Sequence, residues 1–302
     1  GIIMYVFNNT DGSTGSGYSS KGNQLKFGID NKWYKADFLG YEGAAEYAAS
    51  KLLEQSNIME YVPYQLEMIA YNGHSFNGCV SNNFLQPGQR LITAERLYQA
   101  YYNKSVKEVL EKSSLQDRIP KFVEDVTNIT GLENFGKYIT ILLEFDAYIL
   151  NEDRHFHNIA VIQNEDKSFS YCPVFDNGAA FLSDTRNDYP LEKNTYGLIS
   201  GVKAKPFSND FDKQVECCRK LYGTQFKVKQ FNMKEAPAEI KEIYGDKVYT
   251  RICEVEEHQK MMYPEFVSDD IKPVSFNDMF SEEKKETIKN KIHQKKPRSP
   301  KL

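Results

Sequence analysis

The sequence predicts an α+β fold with two lobes, a strand-rich N-lobe and a helical C-lobe. Short strand-like runs separated by turn residues fill about the first 86 residues, whereas longer segments with helical spacing of apolar residues follow the Pro87-Gly88 junction. A chain of 302 residues is long enough to form two packed units. We therefore expect an N-lobe over residues 1–86, a C-lobe over 87–292 and a frayed basic tail over 293–302.

Five strands and one helix are expected in the N-lobe. Residues 8–23 are rich in Gly, Ser, Asn and Thr, which suits a loop rather than a helix or a central strand. Residues 43–55 are rich in Ala and Leu and predict a helix. The Asp30-Asn31 pair should turn a hairpin, and Asn72-Gly73 should turn another. The strands are apolar runs bounded by such turn residues, and they cover 4–7, 24–29, 32–38, 64–71 and 79–84.

The C-lobe is predicted to be mostly helical, with two strands beside a polar loop. The loop Asn151 to Asn158 follows a strongly apolar helix, and strands over 159–162 and 169–175 come after it, the second ending at Asp176. Residues 177–207 have no regular pattern. The helices are expected over 93–113, 119–129, 132–150 and most of 208–292.

Composition excludes several classes of function. The net charge of -4 argues against bulk electrostatic binding to nucleic acid or to an anionic membrane. No apolar run is long enough to cross a bilayer, and the first residues lack the pattern of a secretory signal. The five cysteines fit neither a disulfide framework nor a zinc site. We expect reduced thiols and a cytoplasmic protein without a membrane or nucleic-acid partner, with export as an effector left open.

The densest chemical signal is the run Asn-Glu-Asp-Arg-His-Phe-His-Asn that ends at Asn158. A phosphotransferase needs a carboxylate to accept the proton of the attacking hydroxyl and an amide oxygen to hold magnesium. Asp153 and Asn158, five positions apart in a loop, can present both. Asp176 follows an apolar run and precedes Asn177-Gly178, so it is a candidate for a second magnesium ligand.

The same run permits another interpretation. Asp153, His155 and His157 alternate, and in an extended segment they would share one face and could bind zinc or iron. A metallohydrolase would follow from that arrangement. A further, purely structural alternative is that Asp153 caps one turn and Asp176 starts another.

The N-lobe offers complementary parts for a phosphate site. The loop from Asp11 to Asn23, with Gly15, Ser16 and Gly17 near its centre, could wrap phosphates with backbone N–H groups, although its glycines do not form G-x-G-x-x-G. Lys35 is a cation on an aromatic-rich strand, and Glu46 lies in the following helix. A Lys–Glu pair of this kind positions an amine on the α- and β-phosphates of ATP.

These features in this order resemble the HipA-like serine/threonine kinases. The resemblance rests on the Gly/Ser loop, Lys35, Glu46, the N-x-D-R-H-x-x-N run from Asn151 and the F-D-N-G run from Phe175. It implies a two-lobed, protein-kinase-like fold and the use of ATP with Mg²⁺.

The resemblance also implies roles for individual residues. Asp153 would be the catalytic base, Asn158 and Asp176 the metal ligands, and Lys35 the phosphate-binding lysine paired with Glu46. The segment from Ser81 would form the hinge, in which backbone groups of three residues hold adenine: Asn83, Phe84 and Leu85.

Partners and departures follow from the same resemblance. It implies a protein substrate, an antitoxin or a host protein as partner, and autophosphorylation of a loop serine, for which the candidates are Ser13, Ser16, Ser19 and Ser20. Family toxins usually carry an extra N-terminal subdomain that is not expected here, and their lysine often lies where this chain has Asp37. The D-R-H-x-x-N order also occurs in phosphoinositide-type lipid kinases. A lipid or small-molecule kinase and a nucleotide-gated binding module therefore stay open as alternatives.

Overall fold

A six-stranded mixed sheet forms the N-lobe of the structure, a computed structural model that describes residues 4–7, 12–15, 24–230, 232–235 and 238–278. The sheet order is β1-β5-β6-β4-β3-β2; β1 runs parallel to β5, and the other neighbours are antiparallel. The strands are β1 (Met4–Phe7), β2 (Gly12–Gly15), β3 (Gln24–Ile29), β4 (Lys32–Ala36), β5 (Gln65–Tyr71) and β6 (His74–Asn82).

Both predicted hairpin turns are present. Asp30 and Asn31 have φ values of 50° and 61°, and Asn72 and Gly73 have values of 49° and 74°. Two successive positive φ angles are what a two-residue hairpin turn with the native strand twist requires, and Asn, Asp and Gly adopt them at little cost. The prediction that residues 8–23 form a loop throughout is wrong at β2. This strand lies at the edge of the sheet, where only one of its sides pairs with a neighbour, and an edge strand tolerates residues that a central strand does not.

Helix α1 (Glu42–Glu54) lies across β5 and β6 and carries the predicted Glu46. Small side chains on this helix permit a close approach to the sheet. A Cβ added to Gly43 would lie 2.6 Å from the backbone carbonyl carbon of Gly78, and one added to Gly78 would lie 2.1 Å from the carbonyl oxygen of Lys35. Glycine at both positions therefore fixes how closely Glu46 can approach β4.

The C-lobe contains a small sheet of three antiparallel strands: β7 (Arg90–Thr93), β8 (Ala160–Gln163) and β9 (Phe169–Tyr171). Strand β7 was not expected from the sequence. The predicted second strand is shorter than expected, since β9 ends at Tyr171 and Val174 makes only an isolated bridge to Tyr61. Asp176 consequently follows a bridge between the two lobes rather than the end of a strand.

Helices fill the rest of the C-lobe around a central α5, which packs against α4, α7 and α9. Short 3-10 turns cover Met233–Glu235 and Pro264–Phe266. Residues 177–194 and 200–207 are irregular, as predicted, but the prediction for 177–207 is wrong at 195–199, which form a short helix. The helices are α2 (Ala94–Tyr102), α3 (Val106–Leu110), α4 (Leu115–Thr130), α5 (Phe135–Ile149), α6 (Thr195–Ile199), α7 (Phe211–Tyr222), α8 (Glu239–Tyr244) and α9 (Asp246–Met262).

The single helix predicted over 93–113 is wrong, because the chain breaks it into α2 and α3. Asn103 ends α2 in the left-handed region with a φ of 52°. Ser105 then begins α3 with a capping box, in which its side chain accepts from the Glu108 amide and the Glu108 side chain accepts from the Ser105 amide. Within the described part of the chain, no helix has both the length and the apolarity needed to span a membrane.

Candidate active site

The loop after α5 is anchored by Arg154, whose side chain is 1% exposed. Its Nε and Nη2 donate to the two carboxylate oxygens of Asp146, at 2.9 and 3.0 Å. Its Nη1 donates to the carbonyl of Phe175 at 2.8 Å, and Nη2 also donates to Oδ1 of Asn177 at 2.8 Å. One buried guanidinium therefore ties the loop to α5 and to the residues on both sides of Asp176.

The start of the same loop is also fixed from α5. Leu150 ends the helix in the left-handed region with a φ of 54°. Asn151 donates from Nδ2 to Asp146 Oδ1 at 3.0 Å, and its Oδ1 accepts from the amide of Asp153 at 3.3 Å. Asp153 thus leaves the helix in a fixed direction.

Asp153 lies in the cleft between the lobes with 7% of its surface exposed. The Nζ atom of Lys205 is 3.2 Å from its Oδ1, and Nε2 of His155 is 3.8 Å from its Oδ2. Burial lowers the pKa of His155 from its ordinary value, although the Asp153 and Asp176 charges oppose this shift. The carboxylate is therefore held between a lysine from a distant segment and a local imidazole.

Asn158 closes the loop and lies beside Asp153. Its Nδ2 donates to the carbonyl of Asp153 at 2.8 Å and lies 3.3 Å from Nε2 of His155. Both of these contacts use the amide nitrogen. The amide oxygen accepts no hydrogen bond from the residues that the structure describes, so it can serve as a ligand for a cation, the role predicted for this residue.

Asp176 brings the C-lobe into contact with the N-lobe. Its Oδ1 lies 3.8 Å from Nζ of Lys35, and its backbone is in the left-handed region with a φ of 61°. Burial alone would raise the pKa of this carboxyl, but Lys35, Lys26 and Arg154 lower it to about 2. Asp176 is therefore an ionised carboxylate at neutral pH.

Lys35 meets Glu46 as the sequence predicts. Its Nζ lies 3.5 Å from Glu46 Oε1 and donates to the Tyr64 hydroxyl at 3.3 Å, and it stands 4.9 Å from the centre of the Tyr64 ring. Burial disfavours the charged amine, but Tyr64, Glu46 and Asp176 favour it, so the pKa of Lys35 lies well above its ordinary value. The amine is a buried, permanently charged group.

Glu46 links three elements of the site. Its Oε1 accepts from the amide of Asn177 at 2.8 Å as well as facing Lys35. Its Oε2 is buried and has no hydrogen-bond partner among the residues that the structure describes. Burial raises the pKa of Glu46, and the Lys35 charge partly offsets this shift. The glutamate therefore sets the position of Lys35 and of the residue after Asp176 together.

Asp37, at the position where HipA-like kinases often have the lysine, has a structural role. Its Oδ1 accepts from the amide of Gly43 at 2.7 Å, and its Oδ2 accepts from the Tyr244 hydroxyl at 2.7 Å. Burial and the neighbouring Glu42 raise its pKa well above the ordinary value. It holds the start of α1 and α8 together, and the amine of the site comes from Lys35 instead.

The predicted hinge contacts Phe175, the residue that precedes Asp176. The ring of Phe84 is 5.8 Å from that of Phe175, between the two sheets. The amide of Asn83 donates to the carbonyl of Asn31 at 2.9 Å, and the amide of Leu85 donates to Asn83 Oδ1 at 3.1 Å. Two of the three hinge amides thus bond within the protein, and recognition of adenine by this segment stays a prediction.

The predicted phosphate loop is described only at its start. Gly15 ends β2, where it pairs with Gln24 of β3. Ser16 and Gly17 lie outside the described residues, as do the candidate acceptors Ser19 and Ser20 and the basic tail. Ser13 lies in β2 opposite Lys26.

Three of the predicted residues, Asp153, Asn158 and Asp176, line one cleft between the lobes, and Lys35 lies 3.8 Å from Asp176. Phe38, Leu39 and Glu42 line it from the N-lobe. The C-lobe contributes Asp153, Asn158, Asp176 and Gly178. An ionised carboxylate and an amide oxygen on one wall are the ligand types that Mg²⁺ prefers, and a charged amine such as that of Lys35 is a group that pairs with phosphate oxygens. The residues therefore fit a magnesium–nucleotide complex.

The zinc alternative is not supported by this geometry. His155 accepts at Nδ1 from the amide of His157, at 3.2 Å, and its Nε2 faces Asn158 and Asp153. Both ring nitrogens are thus occupied within the loop. In the described residues, no group of three His, Cys, Asp or Glu side chains is arranged to hold a metal ion.

Sequence reasoning missed several residues of this site. No local pattern indicates Lys205, which is 52 positions from Asp153. Lys26 could have been found: a two-residue turn at Asp30-Asn31 pairs Lys26 with Lys35 across the hairpin, on one face of the sheet. Its pKa is lowered by burial, with Asp176 opposing this shift.

Comparison with known proteins gives a fold but no family. No family model matches the chain, and no curated protein matches it in sequence. Among solved structures it is similar to the Helicobacter pylori proinflammatory kinase CtkA, with a TM-score of 0.53 and 13% sequence identity over 86% of this chain and 94% of that chain. The predicted fold class is confirmed: the chain has an α+β, two-lobed fold of the protein-kinase type.

Proposed function

We propose that the chain is an ATP- and Mg²⁺-dependent serine/threonine protein kinase of the HipA-like type. The observation that carries this proposal is the position of the Lys35 amine, 3.5 Å from Glu46 Oε1 and 3.8 Å from Asp176 Oδ1. A cation from one lobe meets a carboxylate from the other, at the cleft that Asp153 and Asn158 also line. Phosphoryl transfer depends mainly on such positioning and charge neutralisation.

Each residue of the candidate site has a defined role in this proposal. Lys35, held by Glu46, binds the α- and β-phosphate oxygens of ATP. Asp153 orients the acceptor hydroxyl and takes its proton, because its carboxylate lines the cleft next to Asn158. Lys205, 3.2 Å from Asp153, orients that carboxylate and adds positive charge next to the transferring group.

Magnesium would be held by the amide oxygen of Asn158 and the carboxylate of Asp176. When bound, the ion neutralises phosphate charge. The low pKa of Asp176 suits this role because the ligand needs no deprotonation near neutral pH. Arg154 positions both ligands, since its guanidinium bonds to the residues on either side of Asp176 and lies within the Asp153 loop.

The acceptor and partners are part of the same proposal. We take the acceptor to be a serine or threonine of another protein and a loop serine of the chain itself. The structural neighbour is described as a proinflammatory kinase. An antitoxin or a host protein is therefore the class of partner to seek for this chain, in the cytoplasm or after export.

Incubation with labelled ATP and Mg²⁺, followed by mass spectrometry, tests the proposal. We expect phosphate on serine or threonine of the chain or of a lysate protein, and complete loss of label in Asp153→Asn and Asp176→Asn. Asp269→Asn is the matched control, since Asp269 is exposed and outside the cleft. Tight ATP binding without transfer would favour a nucleotide-gated binding module, and label confined to lipids or small molecules would favour that class of kinase.

A further inference from the structure

A second concave surface adjoins the cleft on the C-lobe side and has a volume of about 330 Å³. Its floor includes Leu110 at the end of α3, Phe156 of the Asp153 loop, and Phe207. The rings of Phe156 and Phe207 each lie 5.3 Å from the ring of Phe122 in the core. Because the floor is part of the packed core, the groove exists before any partner binds. We call this surface the α3 groove.

The α3 groove is continuous with the candidate active site. His155 and Lys205 line it, and each also faces Asp153, at 3.8 and 3.2 Å. A lysine side chain spans about 6 Å, and an extended peptide advances about 3.3 Å per residue. A chain whose hydroxyl lies at Asp153 therefore reaches the groove within about two to four residues.

The charge at the rim is opposite to that of the whole protein. Lys107 is exposed at the rim, and Arg118 stands on the wall, against the single acidic residue Glu111. The Arg118 guanidinium donates to the carbonyls of Ser113, Phe207 and Glu111, which hold it in place without neutralising its charge. Lys107 and Arg118 against one carboxylate give the rim a net positive charge on a chain with a net charge of -4.

We propose that the α3 groove binds the acceptor segment of the substrate protein. The segment is extended, places a bulky apolar residue on the floor about two to four positions from the phosphorylated serine or threonine, and carries Asp or Glu beside it. The apolar floor selects the large side chain, and the cationic rim selects the acidic neighbours. This inference rests on the proposed kinase activity for its chemistry, although peptide binding can be measured without it.

Fluorescence anisotropy with three labelled peptides tests the binding. The first has a central Ser, one Phe and flanking Glu residues; the second replaces Glu by Lys; the third replaces Phe by Gly. We expect the first to bind about twofold to fivefold more tightly than the second, the upper part of the range that an exposed ion pair contributes. Equal binding of the first two, or no loss with the third, would overturn the proposal.

Two variants with opposite charge changes give the matched control. Lys107→Glu should weaken the Glu peptide and strengthen the Lys peptide, whereas Glu111→Lys should do the reverse; both positions are exposed and outside the catalytic set. The same peptides are then incubated with ATP and Mg²⁺. If the peptides bind with the expected order of affinities but none is phosphorylated, the groove assignment stands and the proposed kinase activity is refuted. If a peptide is phosphorylated but the affinities do not follow the expected order, the groove assignment alone is refuted.

Discussion

Replacing Arg154 by Met should strongly destabilise the protein. The guanidinium is 1% exposed and makes four hydrogen bonds, two of them to the Asp146 carboxylate. Methionine fills much of the volume but leaves Asp146 as a buried charge, with the Asn151 side-chain amide as its remaining side-chain partner among the residues that the structure describes. Breaking a buried ion pair costs about 3–5 kcal/mol, against a total stability on the order of 5–15 kcal/mol. We expect a loss of about 4 kcal/mol.

The double variant Arg154→Met/Asp146→Leu separates charge from packing. With both charges gone, the penalty for the unpaired carboxylate disappears, and the loss should fall to about 1–2 kcal/mol. Asp146→Leu alone should be as damaging as Arg154→Met, because it leaves a buried guanidinium. The coupling energy in this cycle should therefore exceed about 2 kcal/mol. Phosphoryl transfer should not recover in the double variant, because the contacts of Arg154 to Phe175 and Asn177 are still missing.

Urea unfolding followed by far-UV circular dichroism measures these losses. Arg96→Met is the control, since Arg96 is exposed on α2 and its replacement should change the free energy of unfolding by less than about 0.5 kcal/mol. The reasoning is refuted if Arg154→Met costs less than about 1 kcal/mol, or if the double variant is no more stable than the single one. A double variant that regains full activity would show that Arg154 does not position the metal ligands.

Three further predictions concern the charged groups of the cleft. Lys205→Met should lower kcat by about tenfold to a hundredfold with little change in ATP affinity, both measured in steady-state assays. Lys203 is an exposed neighbour of Lys205, and Lys203→Met should change neither quantity. In Glu46→Gln, Lys35 loses its nearest carboxylate charge, so the free energy of ATP binding should fall more than the free energy of unfolding. Titration calorimetry measures the first and thermal unfolding the second, and an unchanged ATP affinity would contradict this role. In metal-free buffer the depressed pKa of Asp176 stabilises the fold above about pH 4, and this contribution is lost as the pH falls through 2. The difference in the free energy of unfolding between the unchanged protein and Asp176→Asn should therefore shrink by about 2 kcal/mol from pH 6 to pH 2. A difference that stays constant over this range would contradict the prediction.

Local sequence patterns were sufficient for much of the fold. The Asp30-Asn31 turn can be predicted from the sequence because few residues tolerate positive φ, and α1 can be predicted because its Ala-rich segment has helical spacing. The break between α2 and α3 was missed, although Asn103 and Ser105 are a stop and a start signal, because the apolar pattern continues across them. Strand β7 was missed because its four residues gain strand character only by pairing with β8.

The sequence by itself determined which groups form the candidate site: Lys35, Glu46, Asp153, Asn158 and Asp176 carry their chemistry in their residue types and order. Only the tertiary structure decided how these groups meet. Residues at positions 35, 46 and 176 come within 4 Å because two lobes pack together, and a linear pattern does not encode that distance. The same holds for the lysine at position 205, the buried arginine at 154 and the α3 groove. Charges and cavities arise from contacts between segments distant in the chain, and those contacts exist only after the core has formed.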